Sequence, residues 1–295
     1  MKNVLKPEWV LLLGASFWGL GWMPLEFLAG QGLAGMSVVL YTYGLLSLLA
    51  LPLIWLQRAA WWPQRYALLA ICLFGGWATA GLVGALSEGD VVRAMLLFYL
   101  APVWGLLGGW LVLGERLTAL RIGALLLAML GIVLTLGVSS ETFRAFTLPD
   151  WLALSAGVAF AINNLATRAA EQVPLASKAV VAFIGSTVLA GLFCLFQDAG
   201  LPPMTPLLWG QVALFGLFWL IAMSAAQYGF THVEAGRAAV LVVIELLVAV
   251  LTAAWFGERE LGLREWFGGA LVLAAALIAA RPTAESPSSY CEAKP

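Results

Sequence analysis

Charged residues are scarce in this 295-residue chain. Asp, Glu, Lys and Arg together make up 11% of it, whereas hydrophobic residues make up 62%. Because about a quarter of the residues in an ordinary soluble domain are charged, this composition excludes the soluble globular class and indicates an integral membrane protein. Ten membrane-spanning helices of roughly 20 residues would take about 200 residues. The remainder is too short for a separate soluble domain.

Several other functional features are missing from the sequence. The 15 basic and 16 acidic residues nearly cancel, and no run of Lys or Arg is long enough to follow a phosphate backbone. The three cysteines do not have the spacing of a metal cluster or a disulfide framework. A nucleotide-binding Gly-x-x-x-x-Gly-Lys-Ser/Thr loop is also absent. The sequence therefore predicts no cofactor, no metal site and no nucleic-acid partner, and it leaves protein partners open.

Ten apolar runs follow one another along the chain, each near the length that a bilayer requires. They lie at residues 9–29, 36–57, 66–86, 91–113, 118–138, 150–170, 177–197, 207–230, 235–256 and 263–280. This pattern predicts an all-α integral membrane protein of ten transmembrane helices, five in residues 1–145 and five in residues 146–281. Residues 282–295 are polar, which predicts a disordered tail.

Lys and Arg are divided unevenly between the two sides that these spans define. With the amino terminus inside, eleven lie on the inner side and four, Arg93, Arg144, Arg259 and Arg264, on the outer side. Since cytoplasmic loops retain Lys and Arg, both termini and the tail are predicted to be cytoplasmic. Arg168 and Arg237 are interpreted as anchors at the inner surface.

Short motifs recur at a fixed distance in the two halves. Gly-Glu-Arg occurs at 114–116 and again at 257–259, and Gly14-Ala-Ser-Phe is matched by Gly157-Val-Ala-Phe, each pair 143 residues apart. Two matches at one offset indicate an internal duplication. Because five spans is an odd number, the second half enters the membrane from the opposite side. Inverted repeats of this kind serve alternating-access transport, with the substrate near the midplane.

Two five-span halves whose fourth span ends in an apolar run and Gly-Glu resemble the EamA-type exporters of the drug/metabolite transporter superfamily. Within it the chain is most similar to the YddG-type aromatic amino acid exporters of bacterial inner membranes. The resemblance implies a multi-pass protein of that membrane. The chain departs from the family pattern at one point, since Pro102 in the first half corresponds to Ile244-Glu245-Leu246 in the second. Pro102 and Pro24, which can break a helix, are the candidate gating positions.

Glu245 lies near the middle of the ninth span, where an ionisable side chain costs on the order of 3 kcal/mol. One interpretation is a cavity carboxylate that binds a substrate ammonium group or carries a proton. The other is a hydrogen-bonded structural Glu between helices. Aromatic and amide side chains within spans are the further candidates for a substrate cavity, although packing between helices would also explain them. They are Trp18, Trp22, Tyr43, Trp77, Phe98, Tyr99, Asn163, Asn164 and Trp219.

These features predict a secondary exporter of aromatic and other neutral, apolar amino acids, working by alternating access without ATP. The alternative within transport is export of hydrophobic cations or other small amphiphilic metabolites, with Glu245 neutralising a positive charge. An intramembrane enzyme is the alternative of another class. It is disfavoured because the single histidine, His232, falls in a predicted loop and no paired aspartates occur within the spans. The protein is therefore predicted not to be an enzyme.

Overall fold

The computed structural model describes residues 6–138, 145–196, 201–256 and 261–281, and all regular structure in these ranges is α-helical. The helices are α1 (Pro7–Leu20), α2 (Trp22–Gly30), α3 (Met36–Leu49), α4 (Leu51–Trp61), α5 (Arg65–Glu88), α6 (Val91–Phe98), α7 (Ala101–Leu113), α8 (Ala119–Leu136), α9 (Leu148–Ala169), α10 (Leu175–Phe196), α11 (Pro206–His232), α12 (Ala235–Val242), α13 (Ile244–Phe256) and α14 (Leu263–Ala280). The predicted tail and the second Gly-Glu-Arg triplet lie outside the described residues.

Most of the helical segments are long and apolar enough to cross a bilayer. Within the described ranges eight segments pass on length and hydropathy, and the bent pair α3–α4 makes a ninth. These findings confirm an all-helical, multi-pass membrane protein. The predicted sixth span, α9, does not reach the same hydropathy, because it carries Asp150, Asn163, Asn164 and Arg168.

Four of the predicted spans are broken helices rather than continuous ones. The first is interrupted at Gly21, the fourth at Tyr99 and Leu100, and the ninth at Val243, and the second bends by 71° between α3 and α4. Prolines explain three of the four: Pro24, Pro52 and Pro102 lie in the first turns of α2, α4 and α7. A proline ring clashes with the carbonyl group four residues earlier in a continuous helix. The break at Val243 has no proline.

The helices of the two halves pack in a reciprocal way. In each half the first span packs against the third span of the other half, as α1 with α11 and α9 with α5. In the same way α13 packs on α1, and α7 packs on α9. The fifth and tenth spans, α8 and α14, pack on each other. Corresponding elements of the two halves therefore make corresponding contacts.

The outer surface of this bundle is apolar. Leu111 is 68% exposed, and Phe196 and Trp255 are each 86% exposed, which a soluble protein would avoid over so large an area. The interior is built largely from small residues, such as Ala15, Ala80 and others that are wholly buried. Small side chains allow the close helix approach that membrane bundles use.

The bundle has two ends, which we call the amino-terminal face and the opposite face. The amino-terminal face holds the start of α1, the end of α14 and the connections α4–α5, α7–α8, α9–α10 and α11–α12. The opposite face holds the ends of α2, α5, α8, α10 and α13 and the starts of α3, α6, α9, α11 and α14. Hydrogen bonds from Arg237 to the carbonyl groups of Ala279 and Ala280 join elements of the amino-terminal face. Tyr41 donates to the Pro202 carbonyl on the opposite face.

Candidate functional site

Two broken helices meet in the interior of the bundle. Each has the same form: eight residues of helix, a short break and thirteen residues of helix, as α6 with α7 and as α12 with α13. α12 packs against α7, so the break at Tyr99 and the break at Val243 come together. Breaks leave backbone groups without helical partners, which can serve a binding site.

A small cavity of about 20 Å³ lies at this meeting point. The residues that line it include Phe98, Tyr99, Pro102, Phe160, Asn164 and Glu245. A cavity needs about 10–15 Å³ to hold one water, whereas ligand pockets have roughly 300 Å³ or more. The structure therefore has this site in a closed form.

Glu245 is the charged residue of the cavity. It lies in the first turn of α13, directly after the break, where the free N–H groups at a helix start favour a negative charge. The Tyr99 side chain is the polar neighbour of its carboxyl group. A carboxylate near the middle of a membrane bundle thus has a polar neighbour and a favourable helix end.

A chain of aromatic rings leads from the cavity to α1. The ring centroids of Tyr99 and Phe98 are 5.8 Å apart, those of Phe98 and Phe160 are 5.6 Å apart, and those of Phe160 and Trp18 are 5.8 Å apart. The Trp18 indole N–H is buried without a hydrogen-bond partner among the described residues. Trp18 is therefore joined to the cavity through Phe160. Its indole N–H is a hydrogen-bond donor that no described residue accepts from.

The two adjacent asparagines of α9 differ in their surroundings. Asn164 lines the cavity and accepts a hydrogen bond of 3.1 Å from the Asn163 amide. Asn163 faces α5, where its side-chain oxygen lies beside Gly75 and has no hydrogen-bond partner in the described ranges. Only Asn164 of this pair can meet a molecule in the cavity, with Asn163 supporting it.

Tyr43 and Trp219 belong to a second aromatic cluster, away from Glu245. Their rings stack at 6.5 Å, and Tyr43 also contacts Phe183 at 4.9 Å. Trp219 lies against Gly21, at the break between α1 and α2. The structure places these two predicted site residues together, between α3, α10 and α11, but not at the cavity.

The remaining candidates join helices to one another. The Trp22 indole donates to the Thr252 hydroxyl at 3.0 Å, linking α2 to α13. The Trp77 indole donates to the Ser155 hydroxyl at 3.1 Å, linking α5 to α9. Pro24 lies in the first turn of α2 and Pro102 in the first turn of α7, where it also lines the cavity.

Two ion pairs, one buried and one largely buried, connect the halves. Arg93 Nε lies 2.8 Å from Asp150 Oδ1, with side chains 9% and 5% exposed. Arg237 Nη2 lies 2.8 Å from Glu8 Oε1, with side chains 11% and 16% exposed. The first pair joins α6 to α9 on the opposite face, and the second joins α12 to α1 on the amino-terminal face. Arg237, interpreted as an anchor at the inner surface, is thus largely buried and holds two helices together.

The sequence carries a signal for these pairs in a second repeated pattern. Pro7-Glu-Trp and Pro149-Asp-Trp are 142 residues apart, and Arg93 and Arg237 are 144 residues apart. Counting charged residues only by their predicted side of the membrane does not show this second repeated pattern. Pairing is a long-range property, so neither arginine shows its partner locally.

A polar vestibule of about 550 Å³ opens on the amino-terminal face. Its lining includes Glu115, Arg121, Arg168, Glu171 and Glu234. Arg168 pairs with Glu171 at 2.8 Å, and Arg121 pairs with Glu234. Since Leu165 lines the cavity and Arg168 the vestibule, about one turn of α9 separates the two spaces.

The first Gly-Glu-Arg motif has a structural role at this vestibule. The Glu115 carboxylate accepts hydrogen bonds from the backbone N–H groups of Ala235, at 2.7 Å, and Gly236, at 3.2 Å. It therefore caps the start of α12, where a negative charge is favourable. A motif of the first half thus holds the half-helix of the second half that leads to Glu245.

Lys178 is a further polar residue that its sequence context does not single out. It is wholly buried in α10, where its ammonium group donates to the Thr167 carbonyl at 3.0 Å and to the Thr231 hydroxyl at 2.9 Å. In the sequence it counts only as one of the basic residues predicted to lie on the inner side of the membrane. The structure shows that it instead ties together α9, α10 and α11.

The apolar surface and the repeated, broken helices define a multi-pass membrane protein built from two similar halves. A model of the EamA-like transporter family matches the chain twice, at residues 5–137 and 147–281. The chain belongs to the EamA-like transporter family, within the drug/metabolite transporter superfamily. This confirms the superfamily resemblance, while the aromatic-exporter subtype remains a prediction.

Relatives are named as transporters without a substrate. The chain is 28% identical over 219 residues to an uncharacterized transporter of Archaeoglobus fulgidus, covering 74% of this chain and 77% of that protein. It is 29% identical over 135 residues to an uncharacterized transporter of Pseudomonas aeruginosa, covering 43% and 42%. A solved crystal structure matches with a TM-score of 0.73 at 18% identity, covering 93% of this chain and 95% of that one. The last match shows a shared fold.

Proposed function

We propose that the protein is a secondary exporter of aromatic and other neutral, apolar amino acids, which pass through the cavity at Glu245 by alternating access. Membership of a transporter family supports the transport function. The reciprocal packing of two halves supports an inverted repeat, a scaffold that can open to either side of the membrane.

In this proposal α9 completes the set of ten spans, and the two repeats comprise residues 1–145 and 146–281. A helix of lower hydropathy can cross a bilayer when its polar groups face the protein interior. Asp150, Asn163, Asn164 and Thr167 are all buried, which supports a transmembrane α9. With both termini in the cytoplasm of a bacterial inner membrane, the amino-terminal face is the cytoplasmic one.

One observation carries the substrate proposal: Glu245, Asn164 and the aromatic rings of Phe98, Tyr99 and Phe160 line one closed cavity between two helix breaks. The carboxylate suits a substrate ammonium group, and the Asn164 amide suits a substrate carboxylate. The rings offer apolar faces to an aromatic or aliphatic side chain. Opening of either break would enlarge the cavity to the size of a substrate.

Purified protein in liposomes tests this proposal. Phenylalanine, tryptophan or leucine should move down its gradient without ATP, at a rate that saturates. Protein-free liposomes and liposomes with the heat-denatured protein provide the background. If correctly folded protein transports none of the neutral amino acids tested, the amino acid proposal is wrong.

A second candidate is export of hydrophobic cations. Among the described residues, the lining of the Glu245 cavity contains this one carboxylate and no Lys, Arg or His, so a cation would find a better electrostatic match than an amino acid carboxylate. Competition separates the two functions. Inhibition of phenylalanine flux by leucine favours amino acids, whereas cation flux that a quaternary ammonium compound inhibits, without phenylalanine flux, favours the cation function.

Two substitutions at Glu245 test whether the carboxylate acts on the substrate. Glu245→Gln keeps the shape and hydrogen-bonding capacity, so the protein should fold but transport at a changed rate or with a changed pH dependence. Glu245→Leu deletes the polar neighbour of Tyr99 and should also reduce stability, by about 1 kcal/mol. A wild-type rate and pH profile in Glu245→Gln would leave the residue with a structural role only.

A further inference from the structure

The two half-helices that end at the cavity each carry an arginine at the far end from the break. Arg93 lies six residues before Tyr99 in the α6 segment, and Arg237 lies six residues before Val243 in the α12 segment. Six helical residues extend about 9 Å, so each arginine lies at the same distance from the break in its span. Any rotation of a half-helix about its break would therefore displace its arginine.

We propose that the Arg93–Asp150 and Glu8–Arg237 ion pairs are the two gates of the transport path, one on each face, and that transport opens them in turn. Separation of Arg93 from Asp150 opens the cavity to the opposite face. Separation of Arg237 from Glu8 opens it to the amino-terminal face. The structure has both pairs formed around a closed cavity, which is the arrangement of an occluded state. This inference rests on the proposed alternating access but not on the identity of the substrate.

Each pair connects the parts that must separate. Asp150 lies in the first turn of α9, the helix that brings Phe160 and Asn164 to the cavity. Glu8 lies in the first turn of α1, the helix that brings Gly19 against the backbone of Glu245. In both cases a half-helix of one repeat is tied to the first helix of the other repeat.

The chemistry of the pairs also suits a gate. A buried ion pair adds little net stability compared with apolar packing of the same volume, because both charges lose their hydration. When such a pair separates toward a water-filled opening, water restores that hydration. The closed and open arrangements can then have similar free energies, which alternating access requires. An apolar contact would instead lose stability when opened to water.

Labelling of a cavity cysteine measures the opening of each face without any substrate. Ala161 lines the cavity, so Ala161→Cys is introduced into a chain whose native cysteines, Cys72, Cys194 and Cys291, are replaced by alanine. A membrane-impermeant maleimide is added from one face at a time, using right-side-out and inverted vesicles. Arg93→Gln is expected to raise the labelling rate from the opposite face only. Arg237→Gln is expected to raise it from the amino-terminal face only.

The expected increase is about tenfold, which corresponds to the loss of one charge-assisted buried hydrogen bond. Matched controls are exposed arginines that do not tie half-helices to the other repeat: Arg264→Gln on the opposite face and Arg65→Gln on the amino-terminal face, where Arg65 packs on Trp62 and Tyr66. Neither control should change the labelling rate by more than about twofold, since surface charges contribute little.

A variant that leaves a buried carboxylate unpaired can fail to fold. Arg93→Lys and Arg237→Lys then replace the glutamine variants, because lysine keeps the charge but loses the fixed geometry of the guanidinium group. They should give a smaller increase on the same face. Labelling that increases equally from both faces, increases from the wrong face or stays unchanged in folded variants overturns the gate assignment. Face-selective labelling in a protein that transports no amino acid would support the gates and refute only the substrate proposal.

Discussion

Gly157 of α9, the helix that carries Asn164, lies in close contact with the backbone at the end of the half-helix α6. A Cβ atom at this position would lie 2.6 Å from the Phe98 carbonyl oxygen, 3.2 Å from its Cα and 3.3 Å from its carbonyl carbon. A carbon atom normally stays about 3.3 Å or more from a carbonyl oxygen. Gly157→Ala would therefore push the end of α6 away by about 0.7 Å, because backbone has no rotamer with which to yield.

The effect of Gly157→Ala on the unfolding free energy has two opposing contributions, overpacking and helix propensity. Overpacking against backbone destabilises by about 3 kcal/mol, at the upper end of the usual range, while alanine in place of glycine in a helix gains about 1 kcal/mol. A Cβ at Gly123 in α8 would meet no atom of the described chain within 4 Å, so Gly123→Ala should show the gain alone. The two variants should therefore differ in unfolding free energy by about 3 kcal/mol.

Thermal unfolding in detergent provides the comparison, with Gly157→Ala expected to melt several degrees below wild type and Gly123→Ala at or above it. Because Phe98 lines the cavity, Gly157→Ala should also lower the transport rate of the folded fraction. Equal melting temperatures for the two variants would refute the close-packing reasoning. Normal stability with lost transport would show that α6 moves without cost and that only the cavity is affected.

Three further predictions concern orientation, capping and helix contacts. A reporter fused after Lys294 should be active only in its cytoplasmic form, and periplasmic activity would contradict both the orientation and the even number of spans. Glu115→Ala should destabilise the protein by about 1 kcal/mol, measured by thermal unfolding, because two N–H groups of α12 lose their cap, while Glu115→Gln should cost less because it keeps an acceptor. Trp77→Phe removes the hydrogen bond to Ser155 and should cost about 1 kcal/mol, so a loss above about 2 kcal/mol would show that ring packing dominates there.

Much of the helical framework follows from local rules. Apolar length predicts the spans, and a proline in the first turn explains the breaks before Pro24 and Pro102 because the ring excludes a continuous helix. The bend before Pro52 follows the same rule, although Pro52 was not among the predicted helix breaks. The break at Val243 has no such local cause. It forms in the second half at the place where the first half breaks, so it follows from packing that both repeats share.

Which residues form the candidate site depended more on tertiary structure than the helical framework did. Residue type alone singled out Glu245 and the aromatic side chains, because a charge or an indole deep in a membrane needs a polar partner. Only the fold decided that Phe98, Tyr99, Asn164 and Glu245 share one cavity, that Tyr43 and Trp219 form a separate cluster, and that Trp22 and Trp77 bond to other helices.

By itself, the sequence determined that the chain is a membrane protein of two similar halves, since composition and a constant motif offset need no knowledge of contacts. The tertiary structure decided which charges meet. Glu8 and Arg237 are separated by more than two hundred residues, and Arg93 and Asp150 by more than fifty. Hydropathy reports only how an individual residue prefers water or lipid. Pairing between distant residues depends on which helix faces pack together, and that is a property of the folded bundle.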